Sequence, residues 1–333
     1  MPWLHYYNRL LAIATLVLIT VGGLVTSTDS GLAVPDWPNT YGYFMFSFPL
    51  SKMVGGILYE HGHRLIASIV GLLTIGLAFW ISRIDSRKWV RRLGWFALIA
   101  VIVQGLLGGI TVLYFLPPII SISHAGLAQI FFAAIVSLAT FTSKGWLSSY
   151  DREKTDEHEI FSDHILTKLT FILPCIIYLQ IILGATMRHL GAGLAIPDFP
   201  LAFGKIIPPF WDLSIAIHFS HRVGAVLVTF LTLATAGHIL KHHMQRKELA
   251  RPAFLLIVVV ITQFTLGALT ITSERAVSFN TAHVATGALL FVSTIVLYLR
   301  VHRFMFDDRA DKYVIATEVP LVLSSSNPSG ASS

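Results

Sequence analysis

Eight long apolar runs limit what this chain can fold into. They lie at roughly 10–27, 64–82, 94–114, 123–142, 166–187, 217–238, 253–272 and 282–299. About 20 apolar residues cross a bilayer core, and the charged fraction of 13% is about half that of a soluble domain. We therefore predict an all-α integral membrane protein with eight transmembrane helices. The first run has a counterpart in the fifth, so we predict a retained helix there and not a cleaved signal peptide.

The basic residues are distributed unevenly between the two ends of these runs. If the N-terminus is cytoplasmic, the inner segments hold 18 of the 24 Lys and Arg residues. This positive-inside bias predicts a multi-pass protein of the inner (cytoplasmic) cell membrane with both termini in the cytoplasm. The net charge of +6 is thus explained by topology, and we expect no nucleic-acid partner. The single cysteine, Cys175, excludes an intrachain disulfide and a thiolate metal site.

The chain contains an internal repeat. Residues 22–42, "GGLVTSTDSGLAVPDWPNTYG", match residues 184–204, "GATMRHLGAGLAIPDFPLAFG", at an offset of 162. Further motifs recur in the same order, so we predict two four-helix bundles related by a pseudo-twofold axis along the membrane normal. The predicted units are an N-terminal bundle (1–143), a cytoplasmic linker (144–165), a C-terminal bundle (166–305) and a disordered cytoplasmic tail (306–333).

Four histidines stand at the outer starts of alternate helices. His63, His124, His221 and His283 open the second, fourth, sixth and eighth apolar runs. Ionisable residues in a membrane are costly and indicate function. A single one would suit a hydrogen-bonded core residue, but two equivalent pairs favour a cofactor site between facing helices. Zinc usually takes three or four protein ligands, whereas two imidazoles suit the axial positions of a haem iron.

The charged neighbours of these histidines add detail. Arg64 and Arg222 are predicted to pair with haem propionates, or alternatively to anchor lipid phosphates. Glu60 lies one helical turn before His63, where the second half has His218. A carboxylate there can accept protons or stabilise a developing cation. The asymmetry suggests that one half does chemistry and the other holds a redox haem; the alternative is an exposed interfacial glutamate.

Other polar residues receive weaker interpretations. Gln104 and Gln263 occupy equivalent positions, and whether they merely pair between helices stays open. The histidines near the inner helix ends, His238 and His243 among them, are interpreted as solvated or interfacial.

Taken together, these motifs resemble the haem A synthase family over about residues 5–305. The resemblance lies in Glu-x-x-His-Arg, His-x-x-His-Arg, the later histidines and the loops "GGLVTSTDSGLAVPDWP" and "GAGLAIPDFP". It implies oxidation of the C8 methyl of haem O to a formyl group, through a hydroxymethyl intermediate, to give haem A for cytochrome oxidase. It also implies that His221 and His283 ligate haem b, that the other pair flanks haem O or its products, and that Glu60 is the catalytic carboxylate.

The resemblance further suggests haem O synthase and cytochrome oxidase assembly factors as partners, with the electron acceptor open. The residues alone leave two rivals, a b-type cytochrome electron carrier and a non-catalytic haem-binding assembly protein. A carrier would place haems near both faces of a core about 30 Å thick. The four histidines lie near one face, which argues against a carrier.

Overall fold

A computed structural model of the protein describes residues 2–148 and 160–306. In this part of the chain, eight helices are long and apolar enough to cross a membrane and no β-strand is formed. The predicted all-α protein with eight spans is therefore confirmed. Helices suit lipid because they satisfy backbone hydrogen bonds internally. They are α1 (Pro2–Ser27), α2 (Gly56–Ile84), α3 (Lys88–Leu113), α4 (Pro118–Phe141), α5 (His164–His189), α6 (Leu213–His242), α7 (Lys247–Thr272) and α8 (Val277–Val301).

Several helices begin earlier than their apolar runs. α1 begins at Pro2 and α2 at Gly56, each eight residues before the predicted start. Hydropathy detects only the segment in the lipid core, whereas a helix can continue through polar and ionisable residues. Glu60 and His63 consequently lie in the second and third turns of α2 and not at its first residue.

The first four helices pack in a ring. α1 contacts α2, α2 contacts α3, α3 contacts α4 and α4 contacts α1, and α5 to α8 repeat this order. The ring places α2 opposite α4, and α6 opposite α8. The four helices that carry the candidate histidines therefore face each other across bundle interiors. The pseudo-twofold relation and the domain limits stay predictions, and residues 149–159 of the linker and 307–333 of the tail lie outside the described residues.

The two halves meet through α1, α4, α5 and α8. At the outer end, the Ser27 hydroxyl accepts hydrogen bonds from Asn280 (3.0 Å) and Thr281 (3.1 Å). Arg188 donates to Thr26, and these two residues occupy equivalent positions of the repeat. The apolar core of the second half also extends onto α1 and α4. The halves are thus joined by both apolar packing and polar contacts.

The two Pro-Asp-aromatic-Pro loops are folded tightly over the outer ends of the bundles. Asp36 and Asp198 each accept hydrogen bonds from the backbone N–H groups five and six residues later, at 2.7 and 2.8 Å. Partial burial raises the pKa of Asp36, but the two backbone hydrogen bonds outweigh it and lower that pKa overall. The same hydrogen bonds lower the pKa of Asp198. Both carboxylates are therefore stabilised in the charged form that closes the turn.

Candidate functional site

Each candidate histidine packs against a glycine of the preceding helix. A methyl group added to that glycine would lie within 2.9 to 3.2 Å of the imidazole Cε1 atom, closer than side chains normally approach. Glycine therefore lets the ring lie against the backbone of its neighbour. The four contacts are Gly22 with His63, Gly108 with His124, Gly184 with His221, and Gly267 with His283.

The members of each pair lie within electrostatic reach of each other, His63 with His124 and His221 with His283. All four side chains are half-buried, although they sit in the bundles near the joined outer ends of the helices. Fully packed core residues would be inaccessible. Part of the surface of each of these residues is therefore accessible to a ligand.

Gln104 and Gln263 do more than pair between helices. The Gln104 amide donates to the backbone carbonyl of His124 (2.8 Å), and the Gln263 amide nitrogen lies 3.4 Å from Nε2 of His283. Nδ1 of His283 lies 3.2 Å from the backbone carbonyl oxygen of Gln263, which can only accept a hydrogen bond. Nδ1 thus carries the proton and the lone pair of Nε2 faces the Gln263 amide, so a metal bound at Nε2 would take the place of that amide contact.

Gln180 is a further polar contact of the site, and sequence reasoning missed it. Its side-chain amide nitrogen donates to the backbone carbonyl of His221 (2.8 Å) and lies 3.0 Å from Nδ1 of the same ring. The residue at the offset of 162 in the first half is Leu18. Its only sequence signal was a polar residue inside the fifth apolar run.

Three buried nitrogen atoms of the site have no hydrogen-bond partner among the described residues. They are Nδ1 of His63, Nδ1 of His124 and Nε of Arg222. Buried polar atoms are normally paired. The two rings of the first half thus lack a close partner at Nδ1, whereas Nδ1 of His221 and Nδ1 of His283 each have one within 3.2 Å. The unpaired guanidinium N–H can donate to a carboxylate, and these features fit a haem with its propionates.

Arg64 and Arg222 contact the outer loops. Arg64 donates to three carbonyl oxygens of the first loop at 2.7 to 3.1 Å, and Arg222 donates to two of the second loop at 2.8 Å. Both arginines therefore fix the loops over the bundles. That these arginines bind haem propionates stays a prediction. The Nε–H of Arg222, which has no hydrogen-bond partner among the described residues, is a candidate donor.

Glu60 is buried, with 3% of its surface exposed, so the alternative of an exposed interfacial glutamate is wrong. Its carboxylate pairs with Arg64 (2.5 Å) and accepts a hydrogen bond from the Val34 N–H (2.7 Å). In the second half, Nδ1 of His218 accepts from the Ile196 N–H (3.2 Å). The repeat keeps this loop contact while it replaces a carboxylate by an imidazole.

The structure places Arg188 between the halves, within electrostatic reach of His283, Arg275 and Asp29. Two guanidinium groups and one carboxylate leave an excess of positive charge. This part of the interface therefore favours anionic groups. No motif in the sequence had indicated this cluster of charges.

Comparisons with known proteins agree with this geometry. The family model described as "COX15-CtaA: Cytochrome oxidase assembly protein" matches residues 5–295. The chain is 30% identical over 259 residues to "Heme A synthase" of Symbiobacterium thermophilum, which covers 76% of this chain and 81% of the relative. It is 28% identical over 294 residues to "Heme A synthase" of Alkalihalophilus pseudofirmus, which covers 86% and 94% of the two chains.

The glycine contact predicts a selective loss in one half. In Gly184→Val, the added side chain occupies the place of the His221 ring, because a Cβ there would already lie 2.9 Å from Cε1. We expect loss of most of the haem bound to the second half, measured as the α-band of the reduced protein per mole of chain.

The matched control is Gly237→Val on α6, the helix that carries His221, since a Cβ at Gly237 meets no atom within 4 Å. This variant should keep the wild-type haem content. Wild-type content in Gly184→Val as well would show that His221 does not hold haem.

Proposed function

Because this chain belongs to the COX15-CtaA family of cytochrome oxidase assembly proteins, we propose that it converts haem O to haem A. The reaction oxidises the C8 methyl group of haem O to a formyl group through a hydroxymethyl intermediate. The observation that carries this proposal is the pair of matched histidine sites that differ at Glu60 and His218. Relatives named as haem A synthases support it.

The second half is the site for the resident cofactor, haem b. His221 and His283 would bind its iron, and Gln180 and Gln263 contact the two rings. Bound there, haem b supplies a one-electron redox group for the oxidation of the substrate. The Nε–H of Arg222 is a donor for a propionate, and the positive charge of Arg188 and Arg275 attracts such groups.

The first half is the site for the substrate. His63 and His124 flank haem O, and their Nδ1 atoms make no hydrogen bond among the described residues. Rings whose Nδ1 atoms lack a close partner are held less firmly, which suits a ligand that must enter and leave. Leu18 stands where the cofactor site has Gln180, so the substrate site lacks that amide.

Glu60 is the catalytic carboxylate in this proposal. It lies one turn from His63, about 4.5 Å along the helix axis. Its carboxylate is paired with Arg64 and accepts a hydrogen bond from the Val34 N–H. A fixed negative charge stabilises the cation that develops at the methyl carbon as electrons leave and water adds. The carboxylate can also accept a proton from that water.

The protein is a multi-pass membrane protein, and we place it in the cell inner membrane with cytoplasmic termini. Both histidine pairs then lie near the outer face. That placement disfavours a transmembrane electron carrier, which needs redox groups near both faces. A non-catalytic haem-binding protein would have no need for the buried carboxylate of Glu60.

Replacing Glu60 tests the catalytic role. In Glu60→Gln and Glu60→Ala, we expect formation of haem A to fall by about 100-fold or more, because the fixed negative charge is gone. Haem b should stay bound, because its proposed ligands lie in the other half. Bound and product haems are identified by chromatography and mass spectrometry of extracts from cells that make haem O.

The matched control is Glu274→Gln, which makes the same chemical change at an exposed residue of the outer loop between α7 and α8. It should form haem A at the wild-type rate. If Glu60→Ala does so too, the assignment of Glu60 is wrong.

The orientation predicts which loops face the outside. In a Cys175→Ser background, Lys52→Cys should react with a membrane-impermeant maleimide in right-side-out vesicles, and Lys144→Cys only after permeabilisation. Both positions are exposed. The reverse pattern would invert the proposed topology.

A further inference from the structure

A second cluster of ligating side chains lies at the inner end of the second half, far along the helices from the haem sites. Asp163, His238 and His243 each offer one atom, and these three atoms lie within 4.8 Å of one another. Oδ2 of Asp163 is 2.8 Å from Nε2 of His238 and 2.9 Å from Nε2 of His243. These two histidines were predicted to be solvated or interfacial, and the structure shows in addition that both contact Asp163.

Local backbone structure creates this convergence. In a continuous helix, His243 would lie about 140° around the axis from His238. His243 instead directly follows the last residue of α6 as its C-cap, with φ −130° and ψ 24°. Its ring turns back towards the ring of His238. The Nε2 atoms of both rings then meet the same carboxylate oxygen.

Asp163 comes from a different element. It is the N-cap of α5, where Oδ1 accepts hydrogen bonds from the N–H groups of Ile165 (3.1 Å) and Leu166 (3.0 Å). One carboxylate oxygen thus holds the helix start, and the other is directed at the two imidazoles. The side chains are partly shielded, with 12% to 20% exposed.

We propose that Asp163, His238 and His243 form a binding site for a divalent transition-metal ion of the zinc type. Two imidazoles and one carboxylate are a common three-ligand set for zinc, which leaves a fourth position for water. Metal–ligand distances of about 2.0 to 2.2 Å put ligand atoms roughly 3.3 Å apart. The observed separations of 2.8 and 2.9 Å need only small shifts. The metal takes the place of the protons on the two Nε2 atoms, and each ring carries its remaining proton on Nδ1, so that both bind as neutral imidazoles; any proton in excess is released to water.

The site would act as a cytoplasmic clamp. It joins the first residue before α5 to the end of α6, and α6 carries His221 of the haem b site. Metal binding therefore fixes two neighbouring helices of that half at the end opposite the haem. This role is independent of the proposed haem reaction.

The test is zinc binding by the full-length protein, purified with a tag that contains no histidine. After chelator treatment, the protein is titrated with zinc chloride and desalted, and zinc and iron are measured by elemental mass spectrometry. We expect about one zinc per chain in the wild type, with the iron content unchanged. Asp163→Asn and the double variant His238→Ala/His243→Ala should bind zinc at least about tenfold more weakly.

Asparagine also caps helices, so Asp163→Asn keeps the start of α5 while it removes the charge. A wild-type haem spectrum verifies that each variant is folded. The control His5→Gln removes a histidine of the same membrane face whose ring contacts the Ala139 carbonyl, and it should bind zinc normally. Equal zinc binding by the wild type and Asp163→Asn, or no zinc in the wild type, would overturn the proposal.

Discussion

The contact between each histidine ring and a glycine of the preceding helix is the constraint on which the candidate sites depend. Without a side chain at Gly22 or Gly184, for example, the imidazole can lie within 3 Å of the position a Cβ would take. The same glycine lets the two helices approach closely. The same contact occurs at all four histidines, so both histidine pairs are positioned by the same kind of helix packing. Bulk at any of these glycines would move a ring and spread the helices.

The two halves share this frame and differ in what surrounds it. Glu60 accepts a hydrogen bond from the Val34 N–H, and His218 accepts one from the equivalent Ile196 N–H. One side chain is a carboxylate and the other an imidazole. Leu18 and Gln180 occupy equivalent positions, yet only Gln180 brings a side-chain amide to a histidine ring. In the proposed function, these exchanges distinguish a substrate site from a site that retains its cofactor. A duplicated bundle that kept every residue would have two equal sites.

The sequence predicted the eight helices, because long apolar runs are a strong signal of membrane spans. It also singled out the four histidines as candidates, because ionisable residues are scarce in such runs. It misplaced the start of α2, because hydropathy does not detect the helical turns that contain Glu60. It did not reveal the glycine contacts, since glycine is frequent in membrane helices in general. The cluster around Asp163 was also hidden, because a turn at His243 brings together residues 75 and 80 positions apart.

The central claim is that one histidine pair keeps haem b while the other binds a substrate haem. Its most direct test is the identity of the haems bound to protein purified from cells that make haem O. We expect the purified protein to contain haem B together with haem O, its hydroxylated form or haem A. It also predicts that His221→Ala/His283→Ala loses haem B and keeps the other pigment. Two equivalents of haem B, with no other haem, would contradict it.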